Sequence, residues 1–178
     1  MMTRSKKGFT LIEIIVVVGI IGILVSLLWP VIASAIQKTK QKATMQDINS
    51  LAKAVTEYVT DNGVAPTQSG PISSASTFFS ALSGFYLKVL PQNDQWGSPF
   101  EVYCGSAIQA ANITGVSGTH DDDFLIRSLG RDKSTTPFTF DLLSPGSVFF
   151  TLDRMSAFDE DLVSWNGTWI HAPRSSQH

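Results

Sequence analysis

An uninterrupted apolar run near the N-terminus constrains the fold more than any other feature of this sequence. It extends from Phe9 to Trp29 (FTLIEIIVVVGIIGILVSLLW) and contains one ionisable side chain, Glu13. A helix needs about 20 apolar residues to cross the hydrocarbon core of a bilayer, and this run is long enough. The sequence therefore predicts a transmembrane helix over about residues 9–29, with the rest of the chain folded outside the bilayer.

The segment in front of the run indicates which way the chain crosses. This segment, MMTRSKKG, is short, polar and basic. A secretory signal peptide has a shorter apolar stretch, about 7–15 residues, and its small residues follow that stretch. Here the small residue, Gly8, precedes the run. Because basic flanks stay in the cytoplasm, we expect a cytoplasmic N-terminus and an exported C-terminal domain.

Glu13 is the anomaly of the membrane segment. A carboxylate in a membrane helix costs about 2.5–3.5 kcal/mol on insertion scales, so it is rarely accidental. An ionic partner would remove much of this cost, and cleavage after Gly8 would create a free amine four residues from Glu13. An amine on a neighbouring copy could pair equally well. The alternative is that Glu13 reaches the membrane interface and has no partner.

The segment KGFTLIE, Lys7 to Glu13, resembles the type III signal of type IV prepilins and pseudopilins. The resemblance implies that residues 1–8 are a leader, which a prepilin peptidase removes between Gly8 and Phe9. It also implies that Phe9 becomes the methylated N-terminus and that Glu13 is the assembly carboxylate. The location that goes with this family is the inner membrane, crossed once, with a periplasmic C-terminal domain. An ordinary signal anchor is the alternative.

Two further residues of the helix fall at positions that this family shares, Gly22 and Pro30. The resemblance assigns both to assembly, because they loosen a helix that must leave the bilayer. Pro30 has no N–H to donate to the Ser26 carbonyl, so we expect a kink or local melting of the helix there.

The helix pattern continues beyond the membrane segment but becomes amphipathic. One apolar stripe recurs at helical spacing and comprises Ile48, Leu51, Ala52, Val55 and Val59. The residues Asp61 to Gly63 are typical of a helix C-terminus. The sequence thus predicts one long N-terminal helix over residues 9–61, with its second half packed on its own domain. A coiled-coil seam with another protein is a weaker alternative, because the heptads are not sustained.

Residues 62–178 are predicted to form a small globular domain. The composition of residues 64–76 predicts a loop, Thr77 to Leu82 a short helix, and Phe100 to Cys104 and Phe124 to Ser128 two strands. The expected fold class is α+β, with the long helix on a small antiparallel sheet. The apolar segments FTFDLL and SVFFTL lie between Lys133 and Phe158, so we expect this stretch to fold back as a small hairpin or helix.

The middle of this domain resembles the major pseudopilin family of the type II secretion system. The residues that match its Leu-Pro-x-Asp-Pro-Trp-Gly-x-Pro-Tyr pattern are Leu90, Pro91, Asp94, Trp96, Gly97, Pro99 and Phe100. The spacing before Asp94 is one residue longer here, and Gln95 replaces the usual Pro. We expect Trp96 to be a core anchor rather than a chemical group.

The resemblance also implies a calcium loop after the second predicted strand. Its candidate ligands are the Leu129 carbonyl and the carboxylates of Asp132, Asp159 and Asp161. Two departures weaken the match: Lys133 stands where the family favours Gly, and the stretch Lys133 to Phe158 replaces a short loop. The alternative is a solvated acidic loop. The run Asp121 to Asp123 is expected to be a turn.

Composition excludes several other functions. The formal net charge is -2, with no long Lys/Arg stripe, so no nucleic-acid partner is expected. A single cysteine, Cys104, cannot form an intrachain disulfide and is expected to be a small strand residue. No phosphate-binding loop or catalytic triad pattern is present, so we do not expect an enzyme.

The predicted function is structural. Copies of the chain would form a helical filament, the pseudopilus, that helps to move folded proteins across the outer membrane. The resemblance implies three kinds of partner besides the homo-oligomer: other pseudopilins, the prepilin peptidase and an inner-membrane assembly platform. The first alternative is a type IV pilin or minor pilin in adhesion, motility or DNA uptake. The second, of a different class, is a membrane-tethered enzyme or binding domain.

Overall fold

The structure is a computed structural model that describes residues 8–118 and 120–174. Apart from Gly8, the predicted leader lies outside the described residues. The chain divides into two compact units, Met1–Gln37 and Lys38–His178, each of which is described by itself.

The long helix predicted from the sequence is present as α1, Leu11–Asn62. In the first unit its apolar side chains are exposed, and among the described residues α1 is the helix long and apolar enough to cross a membrane. Of the kink or local melting expected at Pro30, local melting does not occur, because the helix is continuous through that residue. One missing N–H removes one hydrogen bond, and the bonds of the neighbouring turns are sufficient to preserve the helix.

In the second unit α1 buries the face that the apolar stripe predicted. Its buried residues are Gln41, Thr44, Ile48, Leu51, Ala52, Ala54 and Val55. The helix ends at Asn62, and Gly63 adopts a left-handed φ of 75°. The Gly63 N–H donates to the Val59 carbonyl at 2.7 Å, which satisfies one of the last helical carbonyls.

A five-stranded antiparallel sheet forms the centre of the second unit. Its strands are β1 (Ser69–Pro71), β2 (Glu101–Cys104), β3 (Phe124–Ser128), β4 (Leu162–Trp165) and β5 (Thr168–His171), which neighbour one another in chain order. A short helix, α2 (Thr77–Leu82), follows β1 as predicted. In the part of the chain that the structure describes, three 3-10 helices occupy Gly105–Ala111, Pro145–Val148 and Met155–Phe158.

Apolar side chains cover both faces of the sheet. On one face α1 and α2 pack against Phe100, Val102 and Ile126. On the other face Tyr103 and Leu125 pack with Phe138 and Phe140 from the stretch between β3 and β4. All five residues of β3 are consequently buried. A strand that is covered on both faces shows no alternation between polar and apolar residues.

Of three local expectations, two need correction and one is confirmed. The predicted loop over residues 64–76 contains β1, which exists because Ser69 pairs with Tyr103 of β2. The stretch 133–158 folds back as expected, and of the two expected forms, hairpin or helix, it takes the helical one, as two 3-10 helices. Trp96 is only partly buried, whereas Asp94 is buried and accepts hydrogen bonds from the backbone N–H groups of Trp96 and Ser98.

Candidate processing, assembly and calcium sites

The predicted cleavage junction lies in exposed, non-helical backbone. Gly8 and Phe9 precede the first residue of α1, Leu11, and Phe9 is 85% exposed. An ideal Cβ on Gly8 would meet no atom within 4 Å. Because the backbone here is neither helical nor buried, a peptidase could take the junction in an extended conformation. A requirement for Gly at position 8 would therefore arise in the peptidase and not in this fold.

Glu13 forms a capping box with Thr10 at the start of α1. Its Oε2 accepts hydrogen bonds from the Thr10 backbone N–H and hydroxyl, both at 2.8 Å. The Glu13 N–H in turn donates to the Thr10 hydroxyl at 3.4 Å. The Thr-x-x-Glu spacing is the sequence signal for this arrangement, and the sequence reasoning overlooked it. The carboxylate thus has donors within its own chain, in addition to any amine that it meets.

Gly22 and Pro30 both lie in the exposed first part of α1. A Cβ on Gly22 would meet nothing within 4 Å, so packing within the chain does not require Gly there. A smooth patch at Gly22 would allow another helix to approach closely, as small residues do at helix interfaces in membranes. The role in assembly predicted for both residues stays a prediction.

Asp161 is the most unusual of the predicted calcium ligands. It lies immediately before β4 and has no exposed surface. Its Oδ2 accepts a hydrogen bond from the Thr136 N–H at 3.2 Å, whereas its Oδ1 has no hydrogen-bond partner. Burial raises the pKa of this carboxyl from 3.8 to about 7. The Thr136 N–H and the charge of Arg127 favour the ionised form of Asp161, but together they do not offset its burial.

Asp159 has a different environment from Asp161. Both of its carboxylate oxygens accept hydrogen bonds from the Arg131 guanidinium, at 2.7 and 2.9 Å. The backbone N–H of Arg131 also donates to the Phe158 carbonyl at 2.8 Å. This bidentate pair joins the two ends of the stretch between β3 and β4. Asp159 could bind a cation only in competition with Arg131.

The other two predicted ligands lie where β3 ends. Leu129 follows β3 directly, and the exposed Asp132 accepts a hydrogen bond from the Ser134 N–H at 3.0 Å. The charge of Asp132 contributes to the raised pKa of Asp161, so the two carboxylates are electrostatic neighbours. Lys133 adopts a left-handed φ of 61°, a conformation that Gly adopts more easily.

The donors around Asp161 fit a calcium ion in part. Calcium binds six to eight oxygens from carboxylates, carbonyls and water. The buried Oδ1 of Asp161 and the nearby charge of Asp132 suit this chemistry, while Asp159 is neutralised by Arg131. Gly130 lies against the carbonyl oxygens of Phe158, Asp159 and Glu160, where a Cβ would come within 2.8–3.0 Å of each. Gly130 is therefore packed closely against the backbone that immediately precedes Asp161.

A separate acidic cluster lies at the turn before β3. Among residues 8–118 and 120–174, the group of three or more His, Cys or carboxylate ligand atoms that all lie within 4.8 Å of one another belongs to His120, Asp122 and Asp123. Asp123 is buried and accepts hydrogen bonds from the Asn166 side-chain amide at 2.7 Å and the His120 N–H at 3.0 Å. These bonds support the prediction of a structural turn at residues 121–123.

A buried histidine lies beside Asp161 and was not predicted. The His171 Nδ1 is 2.6 Å from the Asp161 carbonyl oxygen, and its ring stacks on Phe138 with centroids 4.4 Å apart. Burial lowers the pKa of His171. This contact fixes the backbone of Asp161 to β5, and nothing in the local sequence around His171 indicates it.

Comparisons with known proteins identify relatives over most of the chain. Residues 3–29 match the family described as the prokaryotic N-terminal methylation motif, and residues 31–137 match type II secretion system (T2SS), protein G. The type II secretion system core protein G of Aeromonas hydrophila is 34% identical over 134 residues, which cover 68% of this chain and 93% of that protein. Its counterpart in Pseudomonas aeruginosa is 38% identical over 109 residues, or 57% of this chain and 75% of that protein. No solved structure matches.

Proposed function

The chain belongs to the type II secretion system protein G family, and we infer that it is a structural subunit of the pseudopilus, the filament of that system. One observation carries this inference. The protein G match spans residues 31–137, and the methylation motif that precedes it spans residues 3–29, so both parts of a pseudopilin occur in the right order.

The exposed first part of α1 supports assembly into a filament. Its apolar side chains, among them Leu11, Ile15 and Trp29, are more than half exposed in a single copy. Lipid covers such a surface in the membrane, but a subunit that leaves the membrane must cover it with protein. Copies that pack these helices side by side would do so. The subunit would therefore be stored in the membrane and assembled from it.

The proposal includes the processing and the location expected for such a subunit. A prepilin peptidase cleaves between Gly8 and Phe9 and methylates Phe9. Before assembly the chain crosses the inner membrane once, with a cytoplasmic N-terminus and the second unit in the periplasm. An inner-membrane platform then adds copies and other pseudopilins to the growing filament, which moves folded proteins towards and across the outer membrane.

Calcium is proposed as a structural ligand of the second unit. Asp161, Asp132 and the Leu129 carbonyl would hold the ion, and Asp159 would join them only if Arg131 released it. The orphaned, buried Oδ1 of Asp161 is the observation that supports this. When bound, calcium would neutralise the carboxylates and fix the loop after β3. It has no proposed catalytic role.

Deletion of the gene in its source bacterium tests the proposed function. We expect secreted enzymes to accumulate in the periplasm, and the full-length gene on a plasmid to restore their release. Overproduction of the chain together with its secretion system should give filaments that contain it. Normal secretion with loss of surface pili would contradict the proposal and identify a type IV pilin.

A further inference from the structure

The stretch between β3 and β4 contains an exposed apolar turn, Asp141–Ser144. Leu142 and Leu143 are 68% and 96% exposed, although Phe138 and Phe140 of the same stretch pack on the sheet. Two hydrogen bonds lie within the turn: the Leu143 N–H donates to Asp141 Oδ1 at 2.9 Å, and the Ser144 N–H donates to the Asp141 carbonyl at 3.1 Å. Two adjacent leucines are thus exposed to solvent on a turn that has its own internal hydrogen bonds.

A groove of the second unit has the complementary character. Its volume is about 990 Å³, and it lies between the first turns of α1 in this unit, residues 38–45, and the segments 151–153 and 173–174. Its lining combines three apolar side chains, Met45, Leu152 and Pro173, with three exposed basic ones, Lys38, Lys42 and Arg174. The acidic residue of the lining, Asp153, already pairs with Arg154 at 3.3 Å.

The turn and the groove match in size and in charge. Pockets of about 300–1,000 Å³ hold ligands of the size of a few side chains, so two leucines and their turn are an appropriate occupant. Asp141 is exposed, and the sequence FTFDLLSPGSVFF around it contains no basic residue. Its carboxylate would enter a groove that carries Lys38, Lys42 and Arg174, whose guanidinium also donates to the Gly146 carbonyl of its own chain at 2.8 Å. Complementary charges of this kind fix the register of an interface.

We propose that the Asp141–Ser144 turn of one copy docks into this groove on a second copy. The proposal rests on the proposed filament function and adds a contact between the globular units to the packing of the α1 helices. Turn and groove are different surfaces, so the contact is head-to-tail and can repeat along a helical filament. The turn lies beyond residues 31–137, which match the family, so the contact would be an addition of this chain to the family's assembly.

Photo-crosslinking in filaments of the full chain tests the docking. A photoreactive phenylalanine analogue at position 143 should give a covalent dimer, whose joined peptides contain residues 38–45 or 151–153 of the second copy. The same analogue at the exposed Phe85 is the matched control and should not give that product. A product that joins position 143 to lipid, to another protein or to a different part of the copy would overturn the proposal.

A charge exchange tests the same contact independently. Asp141→Lys should reduce the yield of sheared filaments several-fold, and Lys42→Asp in the same chain should restore it. Single variants that assemble normally would overturn the docking while the filament function stands. If the wild-type chain forms no filaments in its complete secretion system, the proposed function itself fails. Melting of the variants within a few degrees of wild type would show that loss of yield does not come from unfolding.

Discussion

The Glu13 carboxylate accepts two hydrogen bonds from Thr10 in a single copy, yet its cost in a membrane argues for an ionic partner as well. An N-cap interaction contributes about 1 kcal/mol to a helix, less than the cost of the buried carboxylate. The capping box alone therefore does not account for a carboxylate at this position. The additional partner that we propose is the Phe9 amine created by cleavage, on the same or a neighbouring copy.

We predict that Glu13→Val leaves membrane insertion intact but blocks filament assembly. Valine enters a bilayer more easily than a carboxylate, so only the loss of a partner makes this change harmful. Fractionation of membranes measures insertion, and the yield of sheared filaments measures assembly. Thr10→Ala is the control, because it removes the capping hydroxyl and leaves the carboxylate. A normal filament yield from Glu13→Val would disprove the pairing.

We predict that cleavage after residue 8 requires Gly8 but does not require the glycines within the helix. Gly8→Val should abolish cleavage, because a peptidase that accepts only a small residue at the junction excludes the branched side chain. Gly19→Val is the matched control: a Cβ at Gly19 meets nothing within 4 Å, so the fold tolerates it. Intact mass spectrometry of the protein extracted from membranes distinguishes the cleaved chain from the uncleaved one. An intact Met1 terminus in the wild-type chain would refute the cleavage site.

The raised pKa of Asp161 predicts an unusual pH dependence in the metal-free protein. Between 3.8, its ordinary value, and about 7, the folded state holds a proton that the unfolded state has lost. The contribution of Asp161 to the free energy of unfolding should therefore fall as the pH rises through this window, by on the order of a few kcal/mol, and level off above it, whereas that of His171, whose pKa burial lowers, rises as the pH approaches 6.5. Denaturant titration of the second unit in chelator measures this.

Asp161→Asn is the control for that titration. The amide does not ionise, so the fall in stability across the window should largely disappear in this variant. An equal slope in both proteins would show that Asp161 ionises normally. With calcium present the wild-type trend should reverse, because calcium binds the ionised carboxylate and competes with the proton.

At the scale of elements, the loop after β3 depends on contacts made across long stretches of sequence. The Thr136 N–H donates to Asp161, and Arg131 pairs with Asp159, over sequence separations of 25 and 28 residues. Both contacts close the stretch 133–158 at its base. Calcium at Asp161 would add a third link, in a chain whose single cysteine cannot form an intrachain disulfide.

Calcium is predicted to raise the melting temperature of the second unit. Binding to the folded state alone contributes about 2.7 kcal/mol at a hundredfold excess over Kd. At roughly 2–4 °C per kcal/mol, the shift should be several degrees. Asp161→Ala should remove most of it, whereas Asp122→Ala should not, because Asp122 lies in the exposed turn before β3. Identical melting curves with calcium and with chelator would mean that these acidic residues form a solvated loop that binds no calcium.

The elements differ in how far the sequence could predict them. Phe124–Ser128 was predictable because an apolar run stands between acidic and glycine-containing turns. The strand Ser69–Pro71 was not, because Ser, Gly and Pro favour turns and only the pairing with β2 makes them a strand. The calcium candidates followed from a family pattern, but the pairing of Asp159 with Arg131 did not, because no local pattern encodes a long-range contact.

At the scale of the whole molecule, the stretch 133–158 has two parts with different consequences. Phe140 is 8% exposed, its ring packs edge-on against Trp165, and its N–H donates to the Thr114 carbonyl at 2.8 Å. Leu143, three residues later, is 96% exposed. The first residue therefore belongs to the core of the second unit, and the second belongs to its surface. Substitution of Phe140 should therefore change stability, and substitution of Leu143 should change assembly.

We predict that Phe140→Ala lowers the melting temperature of the second unit by on the order of 10 °C. Replacing a buried Phe by Ala costs about 3–5 kcal/mol, because less apolar surface is buried on folding and a cavity remains. Leu143→Ala should change stability by less than about 0.5 kcal/mol, since its side chain has almost no contacts to lose. Thermal unfolding of both variants, side by side with wild type, measures this. Equal melting temperatures for all three would mean that the stretch is not part of the core, whereas a large loss from Leu143→Ala would mean that the turn is buried in solution.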